Sequence, residues 1–178
     1  SFAIAAIFGL ASTFCVIILG DESGYELGDV QRTKLAAIEA EWHTEPAPAA
    51  FTLFGIPNQK EMRTDYAIKI PYVMGMIATR STDKEVTGLH DLMKEHEIRI
   101  RNGMVAYSEL TKLRAGDQSP ELLASFEKNQ KDLGYGLLLK KYTPNVVDAT
   151  EEHIKAATKD TIPNVAALFF SFRAMVAS

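Results

Sequence analysis

The stretch Ser1–Gly20, SFAIAAIFGLASTFCVIILG, contains no charged residue. As a helix it would run about 30 Å, the thickness of a bilayer's hydrocarbon core. Small residues (Ala3, Ala5, Ala6, Gly9, Ala11, Ser12) recur along it, as in helices that pack against other membrane helices. Two rivals stand beside the membrane reading. A secretory signal would place a basic segment ahead of the apolar one, and no Lys or Arg precedes this run. A buried helix of a soluble core is the other, and the length of the run argues against it. Cys15 is the one cysteine, so no intramolecular disulfide is expected, and in this apolar setting it reads as a small buried thiol.

The far end is similar. Val165–Ser178, VAALFFSFRAMVAS, is apolar except for Arg173, and it is shorter than the roughly 20 residues a span requires. Both ends therefore read as membrane helices cut from a longer protein: residues 1–20 as the end of one, residues 161–178 as the start of the next. Residues 21–160 read as a large extramembrane loop, holding every acidic residue and every basic one except Arg173. Its acidic balance weakly favours the non-cytoplasmic side, although long loops cross regardless of charge. The expected fold class is mainly α: a membrane protein with two transmembrane segments flanking a mostly helical loop that carries a small β-hairpin. A chain of 178 residues with net charge −4 gives no electrostatic reason to expect nucleic acid.

Within the loop, Gly20, Gly24 and Gly28 read as turns, followed by a helix over 30–42 that ends before Pro46 and Pro48. Residues 51–56 and 66–70 are β-prone and suggest a hairpin. Residues 89–113 form an amphipathic helical pattern with a break expected at Asn102-Gly103. Ser119-Pro120 starts a helix to about Lys131, which gives way near Gly134 and Gly136. Asp148-Ala149-Thr150-Glu151 resembles a capping box opening a helix to about Thr158.

On a wheel of the 30–42 helix, Leu35, Ile38, Trp42 and Gln31 share one stripe. Lys34 and Glu39 flank it on opposite edges, about 140° apart, too far for an ion pair along the helix. A flat ring with a hydroxyl at each end, such as a quinol, would meet an ammonium on one edge and a carboxylate on the other. Quinol oxidation releases protons, and a carboxylate within hydrogen-bond reach can accept one. The plainer reading is a surface helix with solvated charges beside its apolar stripe.

The residues also carry a resemblance. GDESGYELGDVQ (20–31), KLAAIEAEW (34–42), PAPAAFTLFGIP (46–57), IRNGM (100–104), KDLGYGLLLKKYTPNV (131–146), ATKDTIP (157–163) and FRAMV (172–176) resemble, in order, the quinol-binding loop region of subunit I of the cytochrome bd ubiquinol oxidases. The resemblance covers essentially the whole chain but only part of that subunit. It implies an oxidoreductase of the bacterial inner membrane, with the loop on the periplasmic side, that oxidises ubiquinol and reduces dioxygen to water with a second oxidase subunit as partner. It implies that Lys34 and Glu39 act in quinol binding and oxidation, with Gln31 a weaker candidate. It further implies that Met175 is an axial ligand of a low-spin haem b and that Arg173 is associated with the same haem. Met/His ligation raises a haem's potential, which suits an acceptor of quinol electrons. The histidine partnering Met175 and the ligands of the further haem b and the haem d lie outside these residues. His43, His90, His96 and His153 each read as surface histidines. The alternative is a membrane-anchored extracytoplasmic binding or scaffold domain without redox activity. A soluble enzyme ranks behind both, since no nucleophile–base pair, phosphate-binding glycine loop or metal cluster is legible.

Overall fold

The computed structural model describes residues 2–81 and 83–178. The chain divides into two compact units: one runs to Leu89 and resumes at Asn164, the other is His90–Pro163.

The first unit begins with α1, Phe2–Val30, a 29-residue helix with no buried residue. It is long and apolar enough to cross a membrane, the one such helix among the described residues. Cys15, expected to be buried, is exposed, because among the described residues of the unit none buries any part of α1. Gly20, Gly24 and Gly28, expected as turns, lie inside the helix. A glycine weakens a helix by only about 1 kcal/mol, and here the last turns are braced by the π-helical turn Gly75–Thr79 and the residue after it. Arg80 donates to Asp21 at 2.6 Å and to Glu22 at 2.9 Å, and its guanidinium lies 4.3 Å from the centre of the Tyr25 ring. At Gly28 a methyl group would come within 3.2 Å of the Ala78 carbonyl oxygen, so the glycine sits where the two backbones approach.

Helix α2, Arg32–Ile38, is shorter than the expected 30–42. Ala40 adopts φ 52°, and the Ala40 amide bonds the Ala37 carbonyl while the Glu41 amide bonds that of Ala36. This is the Schellman closure, here with alanine where glycine is usual. Trp42 is still buried, at 3% exposure, but it comes from the loop beyond the helix.

Strands β1, Phe51–Asn58, and β2, Arg63–Ile70, form the expected hairpin. They pair antiparallel with Phe51 opposite Ile70, Thr52 opposite Lys69 and Asn58 opposite Arg63, and irregularities fall at Leu53 and Gly55. The Thr64 hydroxyl donates to the Ala40 carbonyl at 2.8 Å, pinning the hairpin to the α2 turn. Helix α7, Val165–Ala177, has Asn164 as N-cap, its side-chain oxygen accepting from the Ala167 amide at 3.0 Å. Its 13 residues are fewer than a span needs.

The second unit holds most of α3 (Leu89–Arg114), then α4 (Pro120–Asn129), α5 (Leu133–Leu137) and α6 (Glu151–Asp160). Ile100, Leu139, Val146, Ile154 and Ala157 form its core. Helix α3 runs unbroken through Asn102-Gly103. The glycine there serves packing: a methyl on Gly103 would fall 2.3 Å from the Gly136 amide nitrogen and 2.4 Å from the Asp132 carbonyl oxygen. Gly134 and Gly136 likewise stay helical. Ser119-Pro120 opens its helix as expected, whereas the reciprocal cap of α6 falls two residues beyond the expected Asp148 and Glu151, between Thr150 and His153.

Candidate functional site

The polar centre of the first unit is Arg173 on α7. Its Nη2 donates to Glu39 Oε2 at 3.1 Å and, at shorter range, to the Thr52 carbonyl. Nη1 donates to the Ile38 carbonyl at 3.0 Å and to the Phe169 carbonyl at 3.3 Å, and Nε donates to the Leu53 carbonyl at 3.3 Å. The acceptors explain the choice of residue. Ile38 ends α2, where a carbonyl lacks a helical partner and a cation is favoured. Leu53 lies at the irregularity of the ladder, so its carbonyl is available. The guanidinium fork serves several such acceptors while its face stacks 3.5 Å from the centre of the Phe169 ring.

Glu39 is buried, its side chain 7% exposed. It is the C-cap of α2, and the turn at Ala40 follows directly. Burial pushes its carboxyl upward and Arg173 opposes this through charge and hydrogen bond; the balance leaves it above the ordinary range.

A second ionic group lies beside the first. Lys69 Nζ is 3.3 Å from Glu41 Oε1 and 3.4 Å from Oε2, and it also bonds Glu45. Glu41 is buried, and burial pushes its carboxyl up to about 7 against the pull of Lys69. Burial disfavours the Lys69 ammonium, but Glu45 and Glu41 outweigh it and hold its pKa above the usual lysine range.

The expected site residues are only partly brought together. Glu39 and Arg173 touch. Lys34 and Gln31 are exposed, at α2 and its N-cap. The apolar stripe of α2 is turned into the unit: Ile38 and Trp42 are buried and Leu35 is half-buried. A cavity beside the helix takes Leu35, Ala36 and Arg32 with Tyr25, Lys84 and Val86, but neither Lys34 nor Glu39. Met175 is 64% exposed. With Ala167, Phe170, Ser171 and Ala174 it lies on the exposed face of α7, while Val165 and Phe169 are buried. A thioether presented on an exposed apolar helix face is chemically suited to a soft axial bond to haem iron, and most of its surface is left open by the described residues.

A sequence model described as cytochrome bd terminal oxidase subunit I matches residues 1–178. The chain belongs to the cytochrome bd oxidase subunit I family. It is 43% identical over 176 residues to cytochrome bd-II ubiquinol oxidase subunit 1 of Escherichia coli (strain K12), covering 99% of this chain and 34% of the relative. It is 32% identical over 97 residues to cytochrome bd ubiquinol oxidase subunit 1 of Bacillus subtilis (strain 168), covering 54% of this chain and 21% of that relative. The chain thus spans about a third of the first relative's length.

Two features of this subunit I segment escaped the sequence reading. The first is the Glu41–Lys69–Glu45 group, whose members are joined only by the turn at Ala40 and the strand register. The second is His96, expected at the surface but 6% exposed, its Nδ1 2.8 Å from Thr161 Oγ1. The signal was present, because His96 falls midway between Leu92 and Ile100 on the buried face of α3.

Proposed function

We propose that this chain is the quinol-oxidising segment of a cytochrome bd-type terminal oxidase of a bacterial inner membrane. In this reading its loop lies on the periplasmic side, α7 begins a second membrane helix, and a second oxidase subunit completes the enzyme. The observation that carries the proposal is the Glu39–Arg173 pair, because it ties the α2 carboxylate to the helix that bears Met175 two residues further on.

Ubiquinol gives up two electrons and two protons. Lys34, exposed on α2, donates a hydrogen bond to a quinol oxygen from the solvent side of the helix. Glu39 accepts a hydroxyl proton, and burial raises its carboxyl toward the range where such a transfer is efficient. Arg173 orients that carboxylate. Met175 would hold a low-spin haem b, which supplies a one-electron iron acceptor when bound, and Gln31, exposed at the start of α2, adds a polar contact. A further haem b and a haem d belong to the rest of the subunit, where dioxygen is reduced to water.

The test is Glu39→Gln in the complete oxidase. Turnover with ubiquinol should fall by roughly 10²–10⁴, with the reduced-minus-oxidised haem spectrum retained. Lys34→Gln should raise KM more than it lowers kcat. Full turnover in Glu39→Gln would end the reading of Glu39 as proton acceptor, and an oxidase with no response to quinol would favour a scaffold domain.

A further inference from the structure

We propose that Glu41, with Lys69 and Glu45, forms the path by which protons accepted at Glu39 leave for the aqueous face. The proposal rests on the quinol-oxidising reading and extends it from proton capture to proton release.

Position comes first. Glu41 follows Glu39 by two residues, across the left-handed Ala40. The β1–β2 register then links the strand position that Arg173 touches to the one that carries Lys69. Thr52 stands opposite Lys69. The Thr52 carbonyl accepts from Arg173, which also holds Glu39, and Lys69 holds Glu41. Arg173 therefore meets the β1 backbone at the residue whose cross-strand partner carries the ammonium.

Exposure grades in the right direction. The side chains of Glu39 and Glu41 are 7% and 8% exposed, whereas those of Glu45 and Lys69 are 23% and 34% exposed. The group begins in the interior and ends at water.

Charge fits a proton carrier. Glu41 is faced by Lys69 from β2 and by Glu45 from its own loop. Two carboxylates around one ammonium carry a net −1 when all are ionised, so one added proton makes the group neutral rather than positive. Burial also places the Glu41 carboxyl near neutrality, where it can both take and release a proton. For stability alone a buried ion triad is a poor device, since apolar residues of similar volume often do as well or better.

The step is simple in its balance. Each ubiquinol yields quinone, two electrons and two protons. The electrons pass to haem iron of the complete oxidase. Each proton moves from a quinol hydroxyl to the Glu39 carboxylate, then through Glu41 to Glu45 and water. Only O–H bonds form and break after the electrons have left. Glu41 touches no substrate in this scheme, so it acts through Glu39.

The experiment uses the complete oxidase with both subunits and compares Glu41→Gln, Glu41→Asp, Glu45→Gln and Glu39→Gln. In each, kcat and KM for ubiquinol are measured across the neutral pH range beside the haem spectrum. Glu41→Gln should lower kcat by about tenfold or more, hold KM within about twofold, and abolish the inflection of kcat near neutral pH. Glu41→Asp should restore much of the rate, and Glu45→Gln should shift the same inflection. Wild-type kcat and pH profile in Glu41→Gln, with Glu39→Gln inactive, would overturn the exit path and leave the quinol reading standing. Full activity in Glu39→Gln would instead remove the quinol reading itself. Should Glu41→Gln fail to assemble haem, the other two variants decide: unchanged profiles in both Glu41→Asp and Glu45→Gln overturn the proposal.

Discussion

The Glu39 carboxylate and the Arg173 guanidinium meet at 3.1 Å although 134 positions separate them in the chain. This contact joins the end of α2 to α7, and Arg173 also donates to the Ile38 carbonyl of α2 and to the Thr52 and Leu53 carbonyls of β1. One side chain thus fixes the hairpin, the α2 turn and the helix bearing Met175.

Removing that side chain should loosen the hairpin. Arg173→Gln leaves the Glu39 carboxylate buried without its cation, a loss worth roughly 3–5 kcal/mol for a fully buried pair. The Arg173 side chain is 20% exposed, so the lower part of that range is expected. Hydrogen exchange at the β1 amides in the complete oxidase should rise accordingly. The double variant Arg173→Gln, Glu39→Gln should recover part of the protection, because the uncompensated charge is gone. Equal loss in the single and double variants would show that the pair is not the clamp.

How much of this was legible follows from the range of each interaction. The apolar run of α1, the hairpin and the start of a helix near residue 150 depend on neighbouring residues, so pattern and spacing reach them. The end of α2 at Ile38 did not show, because it relies on an alanine in a left-handed conformation that glycine usually supplies. The glycines of α1 misled for the opposite reason: weak local preferences yielded to the Arg80 contacts. Glu39 was singled out through the resemblance and its place on the wheel, and Arg173 through the resemblance as a haem neighbour, but their pairing could not be read. Nothing in the spacing of residues 39 and 173 encodes their meeting. Lys69 and Glu41 were hidden in the same way, by a strand register that only the folded hairpin displays.

The two glycines that let α3 and α5 approach make a sharp contrast with a third. Gly103→Ala would place a methyl 2.3 Å from the Gly136 amide nitrogen. Backbone cannot yield as a flexible side chain can, so a destabilisation of about 1–3 kcal/mol or more is expected in the unit formed by His90–Pro163. Gly134→Ala meets nothing within 4 Å and lies within α5, so it should be neutral or stabilise by about 0.4–1 kcal/mol. Limited proteolysis of that unit in the assembled oxidase should rank the variants in this order, and equal effects would contradict the close approach.

Asp132 gives the same unit an acid limit. Burial would raise its carboxyl, but hydrogen bonds from Arg99 at 2.7 Å and Asn102 at 3.1 Å outweigh that and hold it below the ordinary value. A carboxyl lowered on folding stabilises fully above its unfolded pKa, about 3.9. The contribution fades as pH falls through the lower folded value. The pair should therefore leave stability flat near neutrality and weaken the unit only below about pH 4. Asp132→Asn should reduce stability at neutral pH and flatten the acid limb, as read by hydrogen exchange along α3 and α5 over a pH series. An acid limb as steep as in the unsubstituted protein would assign it to other carboxylates.

Met175 is the prediction that separates packing from ligation. Its side chain is 64% exposed on α7, and the clamp residue Arg173 lies about 200° around the helix from it. Met175→Leu keeps the apolar character and volume close to those of methionine, so the Arg173 contacts and the hairpin should be undisturbed. A methionine that only packs would make this exchange silent in the haem. A methionine that ligates would not: the low-spin haem band should shift or disappear. Any low-spin potential that remains should move downward, since methionine ligation raises it. The measurement is a redox titration followed optically in the assembled oxidase, with hydrogen exchange at β1 as the check on the fold. An unchanged band and potential alongside an intact hairpin would reject Met175 as ligand and leave Arg173 and Glu39 as the functional part of this helix pair.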